Sequence, residues 1–413
     1  MQTAEWLGAV QLILVTLLLS TWYLPITFRW CVAALAVLQL LVALAVAVSA
    51  RRQLRSTRLP QDLPEISDGQ LPTVTIAVPV RNEGEQLEAC LTSLLASNYP
   101  KLEILAFDDQ STDRTPDIIR QYAHAGVRFL RSEAHSVDWL AKNQAYDQLA
   151  QAASGELLLF CGADIRLDSR SLRQLVALMK YKQKTMLTIL PQNRLLQRIP
   201  LLQAMRYYWE VAPPRRLFNR PPVLSSCWLI NRETLQKAGG FAAVRRSVTP
   251  EAYLARYTAL HNDGYSFMHS NHDLGVWFEK SDHDQRETAL MRRYPQVHRR
   301  PEMVMMFGIG QAFLLLGPVL TIVAAVMLGI GWVAILASVA LILHSTIFGI
   351  IQQSIFIRAA AWRAYVALLP AIVLDVWYLH RSMYHYEFGR IHWKGRSISR
   401  PVMTWPGDWV QKL

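Results

Sequence analysis

Between Thr73 and Arg131 the chain alternates short apolar runs with amphipathic ones: VTIAVPV, EQLEACLTSLLAS, LEILAFDD, TPDIIRQYAHAG and VRFLR. The short runs are β-branched or apolar and end in polar residues, as strands do. The longer ones carry apolar residues at helical spacing. Strand and helix in strict alternation, joined by short links, build parallel βαβ units, so this region reads as an α/β, Rossmann-like, mostly parallel sheet. In such sheets ligands sit beyond the carboxyl ends of the strands. The residues that follow each strand are therefore the ones to read for chemistry.

VPVRNEGE (Val78 to Glu85) ends the first strand, where Asn82 and Glu83 offer hydrogen-bonding groups at the carboxyl edge. FDDQSTDRT (Phe107 to Thr115) ends the second with two adjacent acids and a Ser-Thr-Asp helix cap. Capping accounts for Ser111 and Asp113. It leaves Asp108 and Asp109 available to accept hydrogen bonds from a nucleoside's base or sugar. Further on, Lys142 and Asn143 open an amphipathic helix that ends at Ser154-Gly155, a C-cap signal. A lysine at that point suits a diphosphate. The strand Glu156–Cys161 then leads straight to Asp164. A strand-end carboxylate is a fitting hard-oxygen ligand for Mg²⁺ or Mn²⁺, which take a few carboxylates together with phosphate oxygens.

The two ends of the chain are different in kind. Of the 413 residues, 52% are apolar, and the formal charge is +12, from 43 basic against 31 acidic side chains. Apolar runs at about Leu7–Leu24 and Val32–Ala50 are each near the ~20 residues that cross a bilayer. They are joined by PITFRW and followed by the basic RRQLRSTR (Arg51 to Arg58). The N-terminus has no basic region of a cleaved signal, and a second apolar run follows directly. By the positive-inside rule, residues 1–58 are two transmembrane helices with a basic cytosolic flank, and the α/β domain faces the cytosol. Residues 59–72 read as a polar linker and 73–300 as the α/β domain. Residues 301–380 hold apolar segments at Met303–Ile330, Gly331–Ile357 and Ala360–Leu379, and 381–413 a basic tail. Arg363, Pro370 and Asp375 mark the third segment as interfacial or re-entrant, with two crossings and a cytosolic tail preferred.

Lys and Arg lie beside apolar runs or are scattered, without zinc spacing or a basic helix, so nucleic acid is not the expected partner. Cys31, Cys90, Cys161 and Cys227 are widely spaced, which suits small buried residues in a reducing compartment. The expected location is the inner or plasma membrane. RLLQRIPLLQAMRYYWEVAPPRRLFNRPP (Arg194 to Pro222) mixes Arg with Leu, Tyr and Trp. It reads either as a segment on the membrane surface that guides a lipid, or as a core helix followed by a Pro-rich loop.

In order and spacing, VPVRNE, DDQSTD, the Lys142-Asn143 pair and GELLLFCGAD resemble a family 2 glycosyltransferase with the GT-A fold, from about Val74 to Tyr265. SSCWLINRETLQKAGGF and the closing DGYSF continue the likeness. FGRIHWKGR resembles a C-terminal W-K-G-R element of the membrane-bound branch that glycosylates lipids, including carotenoid- and hopanoid-related enzymes. The resemblance implies an inverting transferase that moves sugar from a nucleotide-sugar, a UDP-sugar, to a lipid acceptor. It implies that Pro79, Arg81, Glu83, Asp108, Asp109, Lys142 and Asn143 hold the donor, that Asp164 binds a divalent metal, and that Glu251 is the catalytic base.

Two positions depart from the family pattern. Its DxD is Gly162-Ala163-Asp164 here, and its Glu-Asp pair is Pro250-Glu251. There is also no clean QxxRW; Gln285 with Arg292 and Arg293 is a partial echo. A processive polysaccharide synthase and a non-catalytic membrane scaffold that keeps the fold are the competing readings.

Overall fold

The computed structural model describes residues 11, 25–60, 62–132, 136, 138–193, 201–214, 220–261, 264–279, 282–356, 361–389, 391–394 and 396–397. The expected first apolar crossing, Leu7–Leu24, falls outside the described residues apart from Gln11, as does the tail beyond Ser397.

Seven strands form the central sheet: β1 (Val74–Val80), β2 (Leu102–Asp108), β3 (Val127–Arg131), β4 (Leu157–Cys161), β6 (Met186–Leu190), β7 (Cys227–Asn231) and β8 (Tyr265–His269). A small antiparallel pair joins β5 (Ile165–Leu167) to β9 (Val276–Phe278). The strand order is β3-β2-β1-β4-β7-β6-β8, with β7 antiparallel to both neighbours and the other pairings parallel. The sheet is mixed but mostly parallel, with helices packed against it. From β1 the chain steps outward to β2 and β3, then returns to place β4 on the other side of β1. The crevice beyond β1 and β4 is thus a topological switch point, where such sheets bind ligands.

All five residues of β4 are buried, because the strand is central and covered on both faces. On one face Phe160 stacks on Trp228, ring centroids 4.4 Å apart, and both meet Phe241 and Tyr146. Tyr146 belongs to the helix Ala141–Ala152, so this aromatic cluster fixes that helix, and Lys142 with it, relative to β4. Truncating a ring in such a cluster costs about 3–5 kcal/mol.

The helix Pro25–Ser56 is 32 residues long and absorbs the expected link PITFRW as its first turns. At ~1.5 Å per residue it reaches about 48 Å, more than the ~30 Å apolar core of a bilayer. Leu38, Leu41, Leu44 and Val48 lie exposed along one side. Buried Val32, Ala33 and Ala36 meet Ala325, Val333 and Ala337 on the other. Small residues at such contacts let helix backbones approach closely. The second long apolar helix, Gly331–Ile355, exposes Trp332, Ile335 and Ile342. Apolar faces of this extent are uncommon on water-soluble surfaces. Among the described residues these two helices have the length and composition to cross a membrane. The expected segment Met303–Ile330 is instead the helices Pro301–Gln311 and Gly317–Met327 joined by a π-helical turn, Ala312–Leu316.

Asp375, which marked the third apolar segment as odd, does not face lipid. It is buried in the helix Leu368–Glu387, where it pairs with Arg293 and accepts from Gln311 Nε2 at 3.0 Å. That helix is laced to the helix Asp282–Gln296: Tyr386 Oη donates to the Met291 carbonyl at 2.6 Å, and Ser382 Oγ donates to the Leu290 carbonyl.

Of the segment Arg194–Pro222, residues 194–200 and 215–219 are outside the described residues. What is described, the helix Leu201–Val211, is a core helix. Ala204, Met205, Tyr208 and Val211 are buried, and Tyr208 Oη hydrogen-bonds His344 Nδ1 at 2.9 Å. The surface-lying expectation fails for these residues because the apolar helices, rather than lipid, cover its apolar side.

Candidate active site

The residues beyond β1 are folded into a tight turn by the residues beyond β2. Asn82 sits at φ 50° and Gln110 at φ 56°, left-handed conformations that end both strands abruptly. The Asn82 N–H donates to Ser111 Oγ at 2.9 Å, and Asn82 Oδ1 accepts from the Thr112 N–H at 2.9 Å. The Glu83 N–H donates to Thr115 Oγ1 at 2.9 Å, and the Gly84 N–H to Asp113 Oδ2 at 3.1 Å. Ser111, Thr112, Asp113 and Thr115 thus act mainly as the mould for the first turn. Arg81 completes it by donating to the Asp109 and Gln110 carbonyls.

One cleft gathers most of the predicted site residues: Pro79, Arg81, Glu83, Asp109, Lys142, Asn143 and Asp164 all line it. Asp108 and Glu251 do not. Side chains alternate faces along a strand, so two adjacent acids at a strand end cannot both point into the same crevice. Asp109 takes the cleft. Asp108 is fully buried, accepts the Ser111 N–H at 3.0 Å and lies 3.5 Å from Arg131 Nε. Asn143 lines the cleft, but its amide is occupied: Nδ2 donates to the Val244 and Ser247 carbonyls at 2.8 and 2.7 Å. It pins the loop that leads to Glu251. Lys142 lies 5.0 Å from the Tyr146 ring centroid, a cation–π contact.

Asp164 follows β4 and is half-buried, open to the cleft. Gly162 lies beneath its carboxylate. A Cβ at Gly162 would come within 2.5 Å of Asp164 Oδ1, so the glycine leaves the space the carboxylate occupies. Burial pushes the Glu83 carboxyl up to about 7, with the charges of Asp164 and Asp284 raising it further and Lys394 opposing.

Several lining residues were not among the predicted donor, metal or catalytic residues. Arg206, Asp284, Glu287, Arg292 and Lys394 come from helices or a hairpin far along the chain. His283, Asp284 and Glu287 bring ligand atoms within 4.8 Å of one another, a spacing that DHDQRE carries in sequence as i, i+1, i+4. Burial, with the Arg292 charge beside it, pulls the Arg206 guanidinium down to about 10, so it stays protonated at neutral pH. Glu251 is 2% exposed and lies 4.0 Å from Arg292, behind the cleft wall.

Residues 75–239 match the model of the family "Glycosyl transferase family 2". This segment is a family 2 glycosyltransferase domain. Its range runs from the second residue of β1 through β7 and takes in every site residue above except Glu251, His283, Asp284, Glu287, Arg292 and Lys394. Among curated proteins, the glycosyltransferase AglE of Haloferax volcanii is 33% identical over 98 residues, 23% of this chain and 31% of that protein. A beta-monoglucosyldiacylglycerol synthase of Nostoc is 31% identical over 114 residues, 27% of this chain and 24% of that protein. The 4,4'-diaponeurosporenoate glycosyltransferase of Staphylococcus haemolyticus is 29% identical over 97 residues, 24% of this chain and 25% of that protein. The chain thus spans under a third of the length of these curated relatives. The solved mannosyltransferase PcManGT of Pyrobaculum calidifontis, in complex with GDP-Man and Mn²⁺, shares the fold. Its TM-score is 0.52 at 18% identity, over 84% of this chain and 99% of that one. That likeness shows the GT-A fold of the domain.

Proposed function

We propose that the protein is a membrane-embedded, inverting glycosyltransferase that moves a sugar from a UDP-sugar to a lipid hydroxyl or lipid phosphate at the cytosolic face. One observation carries this reading. Asp164 opens at the switch point between β1 and β4 into the same cleft as Glu83, Asp109 and Lys142, the acids and the cation that a nucleoside diphosphate calls for. Glu83 and Asp109 accept from the nucleoside, and Lys142 faces the diphosphate as a point charge. Asp108 and Asn143 act one layer back, by holding the turn and the 244–247 loop.

Asp164 suits a divalent cation, since its carboxylate is a hard-oxygen donor open to the cleft. Asp164 would hold Mg²⁺ or Mn²⁺, and the chemistry supplied there would be charge neutralisation of the diphosphate. Glu251 is the base that takes the acceptor hydroxyl's proton as the oxygen bonds to the anomeric carbon and the bond from that carbon to the UDP oxygen breaks, releasing UDP. Arg292 lines the cleft in front of it, so acceptor binding has to turn that guanidinium aside.

Three features support a lipid acceptor. The helix Leu201–Val211 carries Arg206 and Tyr207 on the cleft and is bonded through Tyr208 and Ala204 to His344 and Gln352 of the apolar helix Gly331–Ile355. The cleft thus borders the apolar helices. Two of the curated relatives carry lipid-related names, a diacylglycerol and a carotenoid acid. The return of Lys394 to Glu83 supports an even number of crossings between residues 300 and 391, with the tail on the side of the catalytic domain. Comparative lipid mass spectrometry of a strain lacking the gene tests the acceptor class. A missing glycolipid gives acceptor and sugar mass together; an unchanged lipid pool counts against a lipid acceptor.

A further inference from the structure

The W-K-G-R element has a place in the structure that its sequence alone did not explain. It forms a short antiparallel hairpin of β10 (His392–Trp393) and β11 (Arg396–Ser397), with Lys394 following β10. Lys394 takes φ 49°, a left-handed conformation uncommon for a side chain this long. The position is held by Arg81, whose Nε donates to the Lys394 carbonyl at 3.1 Å. Arg81 therefore ties three segments at once: the turn after β1, the turn after β2, and the C-terminal hairpin. The bend turns the Lys394 side chain inward. Its Nζ lies 3.3 Å from Glu83 Oε2 and 3.9 Å from Asp284 Oδ1, and donates to the Asn82 carbonyl at 3.4 Å. It is 17% exposed and lines the cleft with Lys142 and Asp164.

We propose that Lys394 binds the diphosphate of the donor, and that the C-terminal hairpin is the wall that completes the donor site. This rests on the glycosyltransferase reading above. Without Lys394, the side of the cleft formed by Glu83, Asp164 and Asp284 presents acidic groups and no cation to an anionic ligand. With it, that side offers an ammonium held in place by two of them. An ammonium on a four-carbon stem can shift its donors from carboxylate to phosphate by rotation alone. The tail, some 310 residues from the strand it serves, is then part of the active site and not an appendage. Arg81 acts as a positioning residue, since it directs the hairpin and not the ligand.

The test uses the full-length protein in detergent, titrated with UDP, GDP and uridine, as wild type, Lys394→Met and Lys394→Arg. The expected result is a roughly tenfold to hundredfold loss of UDP affinity in Lys394→Met, the range of one charge-assisted contact. Lys394→Arg keeps affinity within a few-fold, and uridine binding is the same in all three proteins. Equal loss of uridine and UDP binding in Lys394→Met would mean that the hairpin only shapes the cleft, and overturns the proposal. So does unchanged UDP affinity in that variant. If the wild type binds neither UDP nor GDP, the glycosyltransferase reading falls, and this inference falls with it.

Discussion

Gly162 and Asp164 decide at the level of single atoms how this site differs from the two-carboxylate pattern it resembles. The Asp164 carboxylate folds back over position 162, and a methyl group there would come within 2.5 Å of its Oδ1. Two acids at these positions would thus require Asp164 to adopt another rotamer. Gly162→Ala is expected to swing that carboxylate away while leaving the sheet intact, because the clash is with the mobile end of a side chain. Metal affinity should fall by about tenfold, the scale set by roughly 1–2 kcal/mol of off-rotamer strain and lost contact. The melting temperature should stay within a few degrees. Calorimetric titration with Mn²⁺ beside a thermal melt checks both; unaltered Mn²⁺ affinity would remove Asp164 from the metal site. Asp108 shows the limit of reading at this scale. Two acids after a strand are visible in sequence, but which one enters the crevice depends on the strand's alternation and on Arg131.

Elements meet where β8 reaches the apolar helices. The His269 backbone N–H donates to the Thr57 carbonyl at the end of the long N-terminal helix, and its Nδ1 lies 3.4 Å from Ser354 Oγ on the helix Gly331–Ile355. Burial pushes its imidazole down from 6.5 to about 4, so the folded protein holds it neutral. That contribution to stability is complete above pH 6.5 and is lost as the pH falls from 6.5 toward 4. Its size is roughly 3 kcal/mol, at about 1.36 kcal/mol per unit. Thermal melts in detergent across this window should show the loss, and His269→Gln should flatten the slope there. An identical pH slope in the variant would take His269 out of the joint. The strands and helices from 73 to 161 were legible because run length, helical spacing and polar ends agree over that stretch. The helix Leu201–Val211 was ambiguous for a physical reason. An amphipathic helix with Arg and aromatics reads alike whether lipid or other apolar helices cover it, and only the bonds from Tyr208 and Ala204 to the Gly331–Ile355 helix distinguish the two.

For the molecule as a whole, the arrangement places a GT-A domain against the ends of apolar helices, with Lys394 of the C-terminal hairpin brought back to the cleft beyond β1 and β4. That return makes a topological prediction. Protease-cleavable tags inserted in the 59–72 linker and at the C-terminus should be cut from the same side of sealed vesicles; cutting from opposite sides would contradict the Lys394 contact. The parts of the site that sequence could not supply, Arg206, Asp284, Arg292 and Lys394, come from elements packed against the cleft only in the folded chain. The neighbourhood of β1, β2 and β4 was readable because one topological rule gathers their carboxyl ends. The central claim is that Asp164 and its cleft turn over a nucleotide-sugar. Metal-dependent UDP-sugar hydrolysis by the purified full-length protein measures this most directly. The account predicts turnover that needs Mg²⁺ or Mn²⁺ and falls by at least about a hundredfold, near 2.7 kcal/mol of transition-state stabilisation, in Asp164→Asn. Equal hydrolysis by wild type and Asp164→Asn, or none by the wild type with either metal, would contradict it and leave a membrane scaffold that keeps the fold.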